Sequence, residues 1–381
     1  MEIDLRVVDE SKEKIFKTFN YLHSIPEPPF KEIKTASYLA DRLKEAGFEV
    51  KTGLAETGLT GTFGSPNAPV LAFRADMDAL GHEIDGKPVY IHSCGHDANM
   101  TMVLSAAEIL SKTCPELKGC FKVVFQPAEE IIQGAKKMVQ AGAIDDIAVL
   151  IGIHLRPEAE TSMGVVTPHL VHSSTNTLIF QVKGEAAHTG RPHQGKNTAN
   201  ALAGMIFAIN SIKTNPLKCA TINVVSLKAG GPSANVIPEE GELTVNIRAE
   251  DNELAASLKA QVDHAVLSVA ETFGVTATKI TDRGIPASNH DPEAIKLGRA
   301  GIVNAIGQEK LEERIVTPGG EDFCCYSILK PELKTAYIGL GSDLKPGLHH
   351  PKASFDPEVL VIGTKVLVQI ALEYLRNGKK I

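Results

Sequence analysis

The sequence predicts an α/β protein in which a mostly parallel sheet, with helices on both faces, is interrupted by a smaller α+β domain. Three observations predict this architecture: strand and helix patterns alternate in the first part of the chain, the order changes near Ser174, and the first pattern resumes after about Ser288. Alternating strands and helices are typical of a parallel sheet covered by its crossover helices. We therefore expect a discontinuous domain at 1–174 and 288–381 and an inserted domain at 175–287.

Short apolar runs bounded by turn residues predict the strands of the larger domain, and apolar residues at helical spacing predict its helices. Ile33, Ala36, Leu39 and Leu43, for example, fall on one helical face. The predicted strands are Pro69–Phe73, Phe121–Phe125, Ala148–Ile153 and Thr335–Leu340. The predicted helices are Ser11–His23, Lys31–Ala46, Asn99–Lys112, Gly134–Gln140, Pro292–Ile306 and Pro357–Arg376.

The inserted segment has a different order of elements. The predicted elements are, in order, a strand at Thr175–Lys183, a helix at Asn197–Ile212, strands at Ala220–Leu227 and Glu242–Ala249, a helix at Leu254–Phe273 and a strand at Val275–Thr281. The order strand–helix–strand–strand–helix–strand is that of a ferredoxin-like sandwich. We also expect an edge strand, such as Thr175–Lys183, to be available for pairing between subunits.

Composition and charge exclude several classes of protein. Of the 381 residues, 43% are hydrophobic and 22% are charged, which is typical of a globular chain with a large core. The formal net charge of −7 shows no excess of basic residues, so we expect neither nucleic-acid nor membrane partners. Apolar runs such as Val359–Ile370 are too short to span a bilayer, and Met1–Glu10 lacks the pattern of a signal peptide. We therefore expect a cytoplasmic protein, and its six cysteines show no disulfide framework.

Several candidate metal ligands come directly after predicted strands. Arg74–Asp78 follows the first strand, Gln126–Glu130 the second and His154 the third, while His349 follows the fourth across a glycine-rich loop. In an open α/β sheet, ligands bind outside the carboxyl ends of the strands. Residues that are distant in sequence can therefore converge at this edge.

The segment His92–Asp97 is the most distinctive one. A thiolate from Cys94 and an imidazole from His96 can approach one site, because Gly95 allows a tight backbone. Asp97 could orient the imidazole of His96. Each of these candidate ligands, taken alone, could have a purely structural role. Their predicted position at the same edge of one sheet favours a metal site.

Eight segments, in this order, resemble the amidohydrolase branch of the dinuclear metallo-aminoacylase and carboxypeptidase superfamily. That branch includes bacterial N-acyl-amino-acid amidohydrolases, hippurate hydrolases and plant auxin-conjugate hydrolases. The matching segments are Arg74–Leu80, His92–Ala98, Gln126–Glu130, Gly152–Pro157, Ala186–Gly195, Ala234–Pro238, Gly319–Phe323 and Leu348–Pro351. The chain departs from the family pattern at Gly81 and His82, where proline is usual at the first position, and at Asn99, where histidine is usual.

The resemblance implies a role for each matching position. Two divalent ions are expected, zinc or manganese first and cobalt or nickel as further possibilities, with a thiolate ligand that bridges them. The implied ligands are Cys94, His96, Glu130, His154 and His349. Glu129 matches the general base, His188 matches a histidine that reaches the active site of the partner subunit, and Asn235 and Arg248 match groups that hold the substrate carboxylate. The chain is therefore expected to form a homodimer or a higher homo-oligomer, with the inserted domain as lid and dimerisation domain.

The expected activity is metal-dependent hydrolysis of the amide bond of an N-acyl-L-amino acid. In this hypothesis a water molecule bridges the two ions, and Glu129 removes a proton from it, which leaves a hydroxide that attacks the amide carbon. Glu129 then protonates the leaving nitrogen. A dipeptidase or carboxypeptidase of the same superfamily would use the same groups, so this alternative stays open. So do a cysteine hydrolase with Cys94 as nucleophile and His96 or His154 as base, and a metal-binding protein without activity.

Overall fold

The computed structural model describes residues 3–65, 69–115 and 119–377. The chain divides into two compact units. The first unit consists of Met1–Val171, Asn289–Ile315 and Glu321–Ile381, and the second consists of His172–Ser288 and Val316–Gly320. The short segment Val316–Gly320 thus belongs to the second unit, although the sequence analysis assigned it to the larger domain.

The first unit is built on a seven-stranded, mostly parallel sheet. The seven strands of this sheet are, in chain order, β1 (Glu49–Leu54), β2 (Gly58–Gly64), β3 (Val70–Asp76), β6 (Cys120–Gln126), β7 (Ile147–Pro157), β8 (Val166–Thr167) and β17 (Lys334–Leu344), and the same unit also contains β4 (Leu80–Ile84) and β5 (Lys87–Ile91). The order in the sheet is β1-β2-β6-β3-β7-β17-β8, while β4 and β5 form a separate antiparallel hairpin. The central strands β6, β3, β7 and β17 are parallel, as predicted. The antiparallel strands β1, β2 and β8, of which β1 and β8 form the edges of the sheet, were not predicted.

Six helices of the first unit agree with the predicted ones to within a few residues, and two short ones were not predicted. They are α1 (Arg6–Glu10), α2 (Lys12–His23), α3 (Ile33–Glu45), α4 (His96–Thr113), α5 (Gly134–Gln140), α8 (Pro292–Ile306), α9 (Cys324–Leu329) and α10 (Glu358–Asn377). Two short 3₁₀ turns lie at Pro192–Gln194, in the second unit, and at Gln308–Lys310. The short α1 and α9 were not predicted, because too few residues are present to show a periodic pattern.

Successive side chains of a strand point to opposite faces of the sheet, and this alternation separates an apolar face from a polar one. Leu71 and Phe73 of β3 belong to the main apolar core, to which α2, α4 and α10 also contribute. Arg74, which follows Phe73 in β3, points to the other face. There Gln126 accepts hydrogen bonds from Nε of Arg74 and from the hydroxyl of Tyr326 on α9. Helices therefore cover both faces of the sheet.

The second unit contains a four-stranded antiparallel sheet and two helices. Its elements are β10 (Ser174–Lys183), β11 (Ala187–His188), α6 (Thr198–Asn210), β12 (Ala220–Ala229), β13 (Val236–Ile237), β14 (Glu240–Ala249), α7 (Asn252–Phe273) and β15 (Thr276–Ile285). The sheet has the order β12-β14-β10-β15, and β11 pairs with β13 in a two-stranded ladder. Leu178, Phe180 and Val182 alternate along β10 and form the core of this unit together with α6 and α7. Two further strands, β9 (Leu170–His172) and β16 (Ile315–Thr317), span the residues at which the chain passes from one unit to the other.

The expectation that Thr175–Lys183 is an edge strand is wrong. This segment forms β10, which pairs with β14 on one side and with β15 on the other along its whole length. Its backbone groups are therefore not available for pairing with another chain. The edges of this sheet are β12 and β15, and in sequence nothing distinguishes a central amphipathic strand from an edge strand with the same alternation.

No helix within the described residues is both long enough and apolar enough to cross a membrane.

Candidate active site

The predicted ligands of the first unit lie at the carboxyl ends of the parallel strands. His154 lies on β7, Glu130 lies in the loop that follows β6, and His349 lies in the loop that follows β17. Cys94 and His96 stand at the beginning of α4, which His96 opens. Gly95, between them, has a φ of 85°, a left-handed conformation that glycine adopts at little cost. The thiol and the imidazole can thus face the same site, as the spacing of the sequence predicts.

The donor atoms of these residues form two overlapping groups. In one group, atoms of Cys94, His96 and His154 all lie within 4.8 Å of one another, and in the other, atoms of Cys94, Glu130 and His349 do so. Cys94 is common to both groups. A third group, with the same limit, contains His96, Glu129 and Glu130. The structure therefore brings the five predicted ligands and Glu129 together in the first unit.

Individual distances show how the groups are joined. The Sγ atom of Cys94 lies 3.5 Å from Nε2 of His154. The two oxygens of Glu130 face different imidazoles: Oε1 lies 3.8 Å from Nε2 of His96, and Oε2 lies 3.8 Å from Nε2 of His349. Cys94 and Glu130 are thus the two residues that connect the histidines.

The unsatisfied atoms at this site are those that metal ions would need. Nε2 of His96 and Oε1 of Glu130 are buried and have no hydrogen-bond partner among the described residues. Buried polar atoms are rarely left without a partner, because desolvation then costs about 1–3 kcal/mol. Thiolate, imidazole and carboxylate are also the donors that zinc and other transition metals accept. The residues present therefore fit divalent metal ions.

Backbone carbonyls orient two of the imidazoles toward the cluster. Nδ1 of His96 lies 2.8 Å from the carbonyl oxygen of Asp78, and Nδ1 of His154 lies 2.7 Å from the carbonyl oxygen of Leu155. A carbonyl can only accept, so Nδ1 carries a proton in both rings, and in the neutral form of each ring Nε2 has the free lone pair. Such contacts are typical of histidines that bind metals.

Without a cation, burial disfavours the charged forms of several groups at the site. Burial raises the pKa of the Cys94 thiol well above its usual range and raises the pKa of Glu130 to about 7. Burial also lowers the pKa of His154 to about 3, so its ring is neutral. Burial, and next the charges of Glu321 and Glu130, raise the pKa of Glu129 well above its usual range. A bound divalent cation would reverse this tendency for the thiol and the carboxylates.

The loop that carries the two glutamates has an unusually constrained backbone. Ala128 and Ile132 adopt left-handed conformations with φ of 55° and 61°, which are uncommon for residues other than glycine. A Cβ atom at Gly134 would lie 1.7 Å from the carbonyl oxygen of Pro127, so only glycine fits there. These features hold Glu129 and Glu130 in a tight turn between β6 and α5.

A buried arginine lies on the polar face of the sheet, next to the glutamate loop. The guanidinium of Arg74 is fully buried and contacts three carboxylates, those of Asp76 at 2.7 Å, Asp322 at 3.0 Å and Glu321 at 3.1 Å. Its Nε atom donates to Gln126, and the backbone N–H of Asp322 donates to Oε1 of Glu129 at 3.2 Å. The network thus connects β3 to the loop before α9 and ends at the side chain of Glu129.

The three remaining predicted site residues lie in the second unit. His188 lies on β11, opposite Val236, and its Nδ1 accepts a hydrogen bond from the backbone N–H of Gly190. Asn235 precedes β13, and its carbonyl oxygen accepts from the N–H of Thr189. The structure thus brings His188 and Asn235 close together. Arg248 lies on β14, where Nη1 donates to the carbonyl oxygen of Pro318 at 2.8 Å.

Comparison with known proteins agrees with this site. The profile of peptidase family M20/M25/M40 matches residues 72–373, and a protein of Synechocystis sp. described as a probable hydrolase is 30% identical over 94% of this chain and 94% of its own length. The chain belongs to peptidase family M20/M25/M40. The resemblance inferred from the sequence is thereby confirmed.

Two further known proteins are similar to this chain over nearly its whole length. The N-acetylcysteine deacetylase of Bacillus subtilis is 26% identical over 94% of this chain and 96% of its own length. A solved structure from Bacillus subtilis, described as a dinuclear metal-binding peptidase, is 23% identical, superposes with a TM-score of 0.81, and covers 98% of this chain and 100% of that one. The prediction of a metal-dependent hydrolase that acts on amides is therefore confirmed at the level of the family.

Two of the positions where this chain departs from the family pattern, His82 and Asn99, make polar contacts near the site. Nδ2 of Asn99 donates to Oδ1 of Asp76 at 3.0 Å, and Nε2 of His82 lies 2.8 Å from the hydroxyl of Ser93. The sequence indicated Arg74 and Asp78 as members of a segment of candidate metal ligands after a strand, which is also one of the segments that carry the family resemblance. Their contacts with Glu321, Asp322 and the glutamate loop were not predicted, because nothing in the local pattern links segments so far apart in the chain.

Proposed function

We propose that this enzyme hydrolyses the amide bond of N-acyl-L-amino acids, with two divalent ions held by the cluster and Glu129 as the general base. The observation that carries the proposal is the pair of overlapping donor groups that share Cys94, with Glu129 beside them. One residue common to two groups is the arrangement expected for two neighbouring ions with a shared ligand. The expected ligands are Cys94, His96, Glu130, His154 and His349.

Relatives support this choice of reaction. An N-acetylcysteine deacetylase is among the family members that match nearly the whole chain, and the Arabidopsis thaliana protein named IAA-amino acid hydrolase ILR1-like 4 is 27% identical over 94% of the chain. Both names describe amide bonds between an acyl group and an amino acid. The solved dinuclear metal-binding peptidase has the same fold, which supports a pair of ions.

Bound ions would act as Lewis acids that lower the pKa of water toward neutrality and offset negative charge on the substrate oxygen. Glu129 takes a proton from the attacking water and passes it to the leaving nitrogen, which must be protonated before the C–N bond breaks. The N–H of Asp322 keeps one oxygen of Glu129 in place.

The second unit would supply substrate recognition. We assign to His188 a hydrogen bond to the oxygen that becomes negative during attack, delivered to the site of a partner subunit. Asn235 and Arg248 would bind the α-carboxylate, since a guanidinium can donate two parallel hydrogen bonds to it. In this proposal the second unit acts as a lid and as the dimerisation domain of a homodimer or larger homo-oligomer.

The electrostatics disfavour a cysteine hydrolase. A nucleophilic cysteine needs a lowered thiol pKa, which a nearby cation or a helix N-terminus usually provides. Burial instead raises the pKa of the Cys94 thiol. A thiolate at this position therefore requires a strong positive charge, which divalent ions would supply.

The first test is a metal and substrate panel. N-acetyl and N-benzoyl amino acids of both configurations, together with dipeptides, are assayed with the chelated protein and after addition of manganese, zinc or cobalt. We expect hydrolysis of N-acyl-L-amino acids only when metal is present. Activity that survives chelation but is lost on alkylation would contradict the two-ion proposal, and faster cleavage of dipeptides would assign the enzyme to the dipeptidases instead.

The variant Glu129→Gln tests the role of Glu129 as the general base. The variant keeps an oxygen that can accept from the N–H of Asp322 but cannot take up a proton, so we expect kcat to fall by about 10²–10⁴-fold. Metal content per chain, measured by elemental analysis, should be unchanged. Glu309→Gln, at an exposed position, serves as the matched control. Normal turnover by Glu129→Gln would remove the assigned role.

A further inference from the structure

His349 is the most exposed of the five expected metal ligands. Its side chain is 57% exposed, whereas the side chains of the other four are buried. Its φ of 65° is a left-handed conformation, which a residue other than glycine adopts only where surrounding contacts hold it. In the part of the chain that the structure describes, no hydrogen bond orients its ring. The position of this ligand therefore depends on what holds its backbone.

Two hydrogen bonds in series connect the backbone of His349 to the side chain of His82. The N–H of His349 donates to the carbonyl oxygen of Ser93 at 2.9 Å. The hydroxyl of Ser93 lies 2.8 Å from Nε2 of His82. Ser93 is buried, so water does not readily replace the imidazole as the partner of its hydroxyl. The serine thus holds the ligand through its backbone and is itself held through its side chain.

His82 belongs to a hairpin whose side chains are mostly exposed. It lies on β4, where it pairs with Val89 of β5, and the hairpin ends two residues before Ser93. A two-stranded hairpin is only marginally stable by itself. The contact between His82 and Ser93 therefore attaches this hairpin to the segment that carries Cys94.

We propose that His82 is a positioning residue of the metal site, which fixes Ser93 through its imidazole and thereby holds the ligand His349. The inference rests on the proposed function, because it takes His349 to be a metal ligand. His82 stands where the chain departs from the family pattern, so the family resemblance assigns no role to it. It acts through Ser93 and replaces none of the five ligands.

The contact requires a polar atom at the place of Nε2. Either tautomer of the neutral ring satisfies it, because the hydroxyl of Ser93 can donate to a ring nitrogen or accept from a ring N–H. A leucine side chain at position 82 fills a similar space but has no polar atom. A glutamine side chain has a similar reach, and its amide can donate or accept. Comparison of these two replacements separates the hydrogen bond from the space that the side chain fills.

Only one of the two expected ions should be affected when this anchor is lost. His349 belongs to the donor group that contains Glu130 and is absent from the group that contains His154. Loss of a hydrogen bond between uncharged groups typically changes an equilibrium constant by about 2–10-fold. A replacement that merely destabilised the fold would weaken the binding of both ions.

Calorimetric titration of the metal-free protein with Mn²⁺ tests the role. We expect His82→Leu to weaken one of the two binding steps by about 2–10-fold, and this step should be the one that His349→Ala weakens most. His82→Gln should bind both ions more tightly than or as tightly as His82→Leu does, and closer to the wild type. The control His264→Leu, at an exposed position, should match the wild type. Two unchanged steps in His82→Leu, or two steps weakened equally, would overturn the proposal.

A double-mutant cycle tests whether His82 acts through Ser93. The variant Ser93→Ala removes the hydroxyl and keeps the carbonyl that holds His349. If both side chains act through one contact, the double variant His82→Leu/Ser93→Ala should bind Mn²⁺ about as weakly as each single variant does. A loss equal to the product of the two single losses would contradict this route.

Hydrogen exchange of the metal-free protein provides a measurement that needs no metal. The peptide that contains His349 should exchange faster in His82→Leu than in the wild type and in His264→Leu, because the acceptor of its N–H is less firmly held. Equal exchange in the three proteins would contradict the anchoring role. The proposed function fails on different grounds, namely if the metal-loaded wild type does not hydrolyse N-acyl amino acids, and the exchange and titration results would still decide the role of His82.

Discussion

At the scale of single residues, the site depends on buried charged groups that compensate one another. Arg74 contacts three carboxylates on the polar face of the sheet, and burial disfavours the charged forms of Cys94 and Glu130 unless a cation is bound. Removing one partner of such a set is costly, because the remaining charge stays buried. The arginine therefore has a structural role that is independent of metal binding.

Replacing Arg74→Met should destabilise the protein strongly. The three carboxylates would lose their counter-charge inside the protein, so we expect the free energy of unfolding to fall by about 3–5 kcal/mol. Urea unfolding of metal-free protein measures the change. Arg6→Met, at an exposed position, is the control and should change stability by less than about 0.5 kcal/mol. Equal stability of the Arg74 variant and the wild type would show that the network does not stabilise the fold.

The buried imidazole of His154 should make the metal-free protein sensitive to mild acid. Its pKa is lowered to about 3 in the folded state, against about 6.5 in an unfolded chain. Below pH 6.5 the unfolded chain binds a proton that the folded state does not, so stability is lost as the pH falls from 6.5 toward 3. Between pH 7 and pH 5 we expect the wild type to lose about 2 kcal/mol more than His154→Asn does. Identical pH dependence of the two proteins would contradict this account.

The sequence predicts the donor residues of the site well, and it predicts their partners poorly. Cys94 and His96 are separated by one glycine, and such spacing by itself indicates convergence. The partners Asp322 and Glu321, in contrast, are brought to Arg74 only by the packing of α9 on the sheet. No local sequence pattern predicts a contact between segments so distant in the chain.

At the scale of secondary-structure elements, the candidate active site depends on where α4 begins and on how the loop between β6 and α5 closes. The helix α4 begins at His96, three residues before the predicted start, because Gly95 in a left-handed conformation precedes it and the first turn lacks apolar periodicity. The loop between β6 and α5 closes on itself at Gly134. Periodic patterns reveal the middle of an element, whereas its ends depend on single residues.

Replacing Gly134→Ala should disturb the glutamate loop. An added methyl group would overlap the carbonyl oxygen of Pro127, so the loop must shift and carry Glu129 and Glu130 with it. We expect a stability loss of about 1–3 kcal/mol and a lower kcat. Gly231→Ala is the matched control, since an added Cβ there meets no atom within 4 Å. Wild-type kcat for Gly134→Ala would show that this closure does not position the pair.

At the scale of the whole molecule, the order of elements could be predicted because the hydrophobic period changes clearly between segments. The parallel core of the main sheet, for example, coincides with the four predicted strands. The edge strands β1 and β8 and the assignment of Val316–Gly320 to the second unit could not be predicted from the sequence. Both depend on pairing partners rather than on the local pattern. The proposed assembly into a homo-oligomer is also a property of the whole molecule.

The edge strand β12 is the better candidate for pairing between subunits. Val225 and Leu227 on this strand and Phe207 on α6 are exposed apolar side chains, whereas Lys279 and Asp282 on the opposite edge, β15, form ion pairs. Charged residues protect an edge from pairing. We expect Val225→Lys to lower the mass measured by analytical ultracentrifugation to that of a monomer, with loss of activity. Ile280→Lys on β15 should keep the wild-type mass, and a monomeric wild type would contradict the proposed assembly.

The central claim is that Cys94, His96, Glu130, His154 and His349 together hold two divalent ions. A crystal structure of the Mn²⁺-loaded protein, with anomalous scattering at the manganese edge, measures this directly. We expect two anomalous peaks per chain, both within bonding distance of the Cys94 sulfur and each also bound by histidine. A single peak, or peaks elsewhere in the chain, would contradict it.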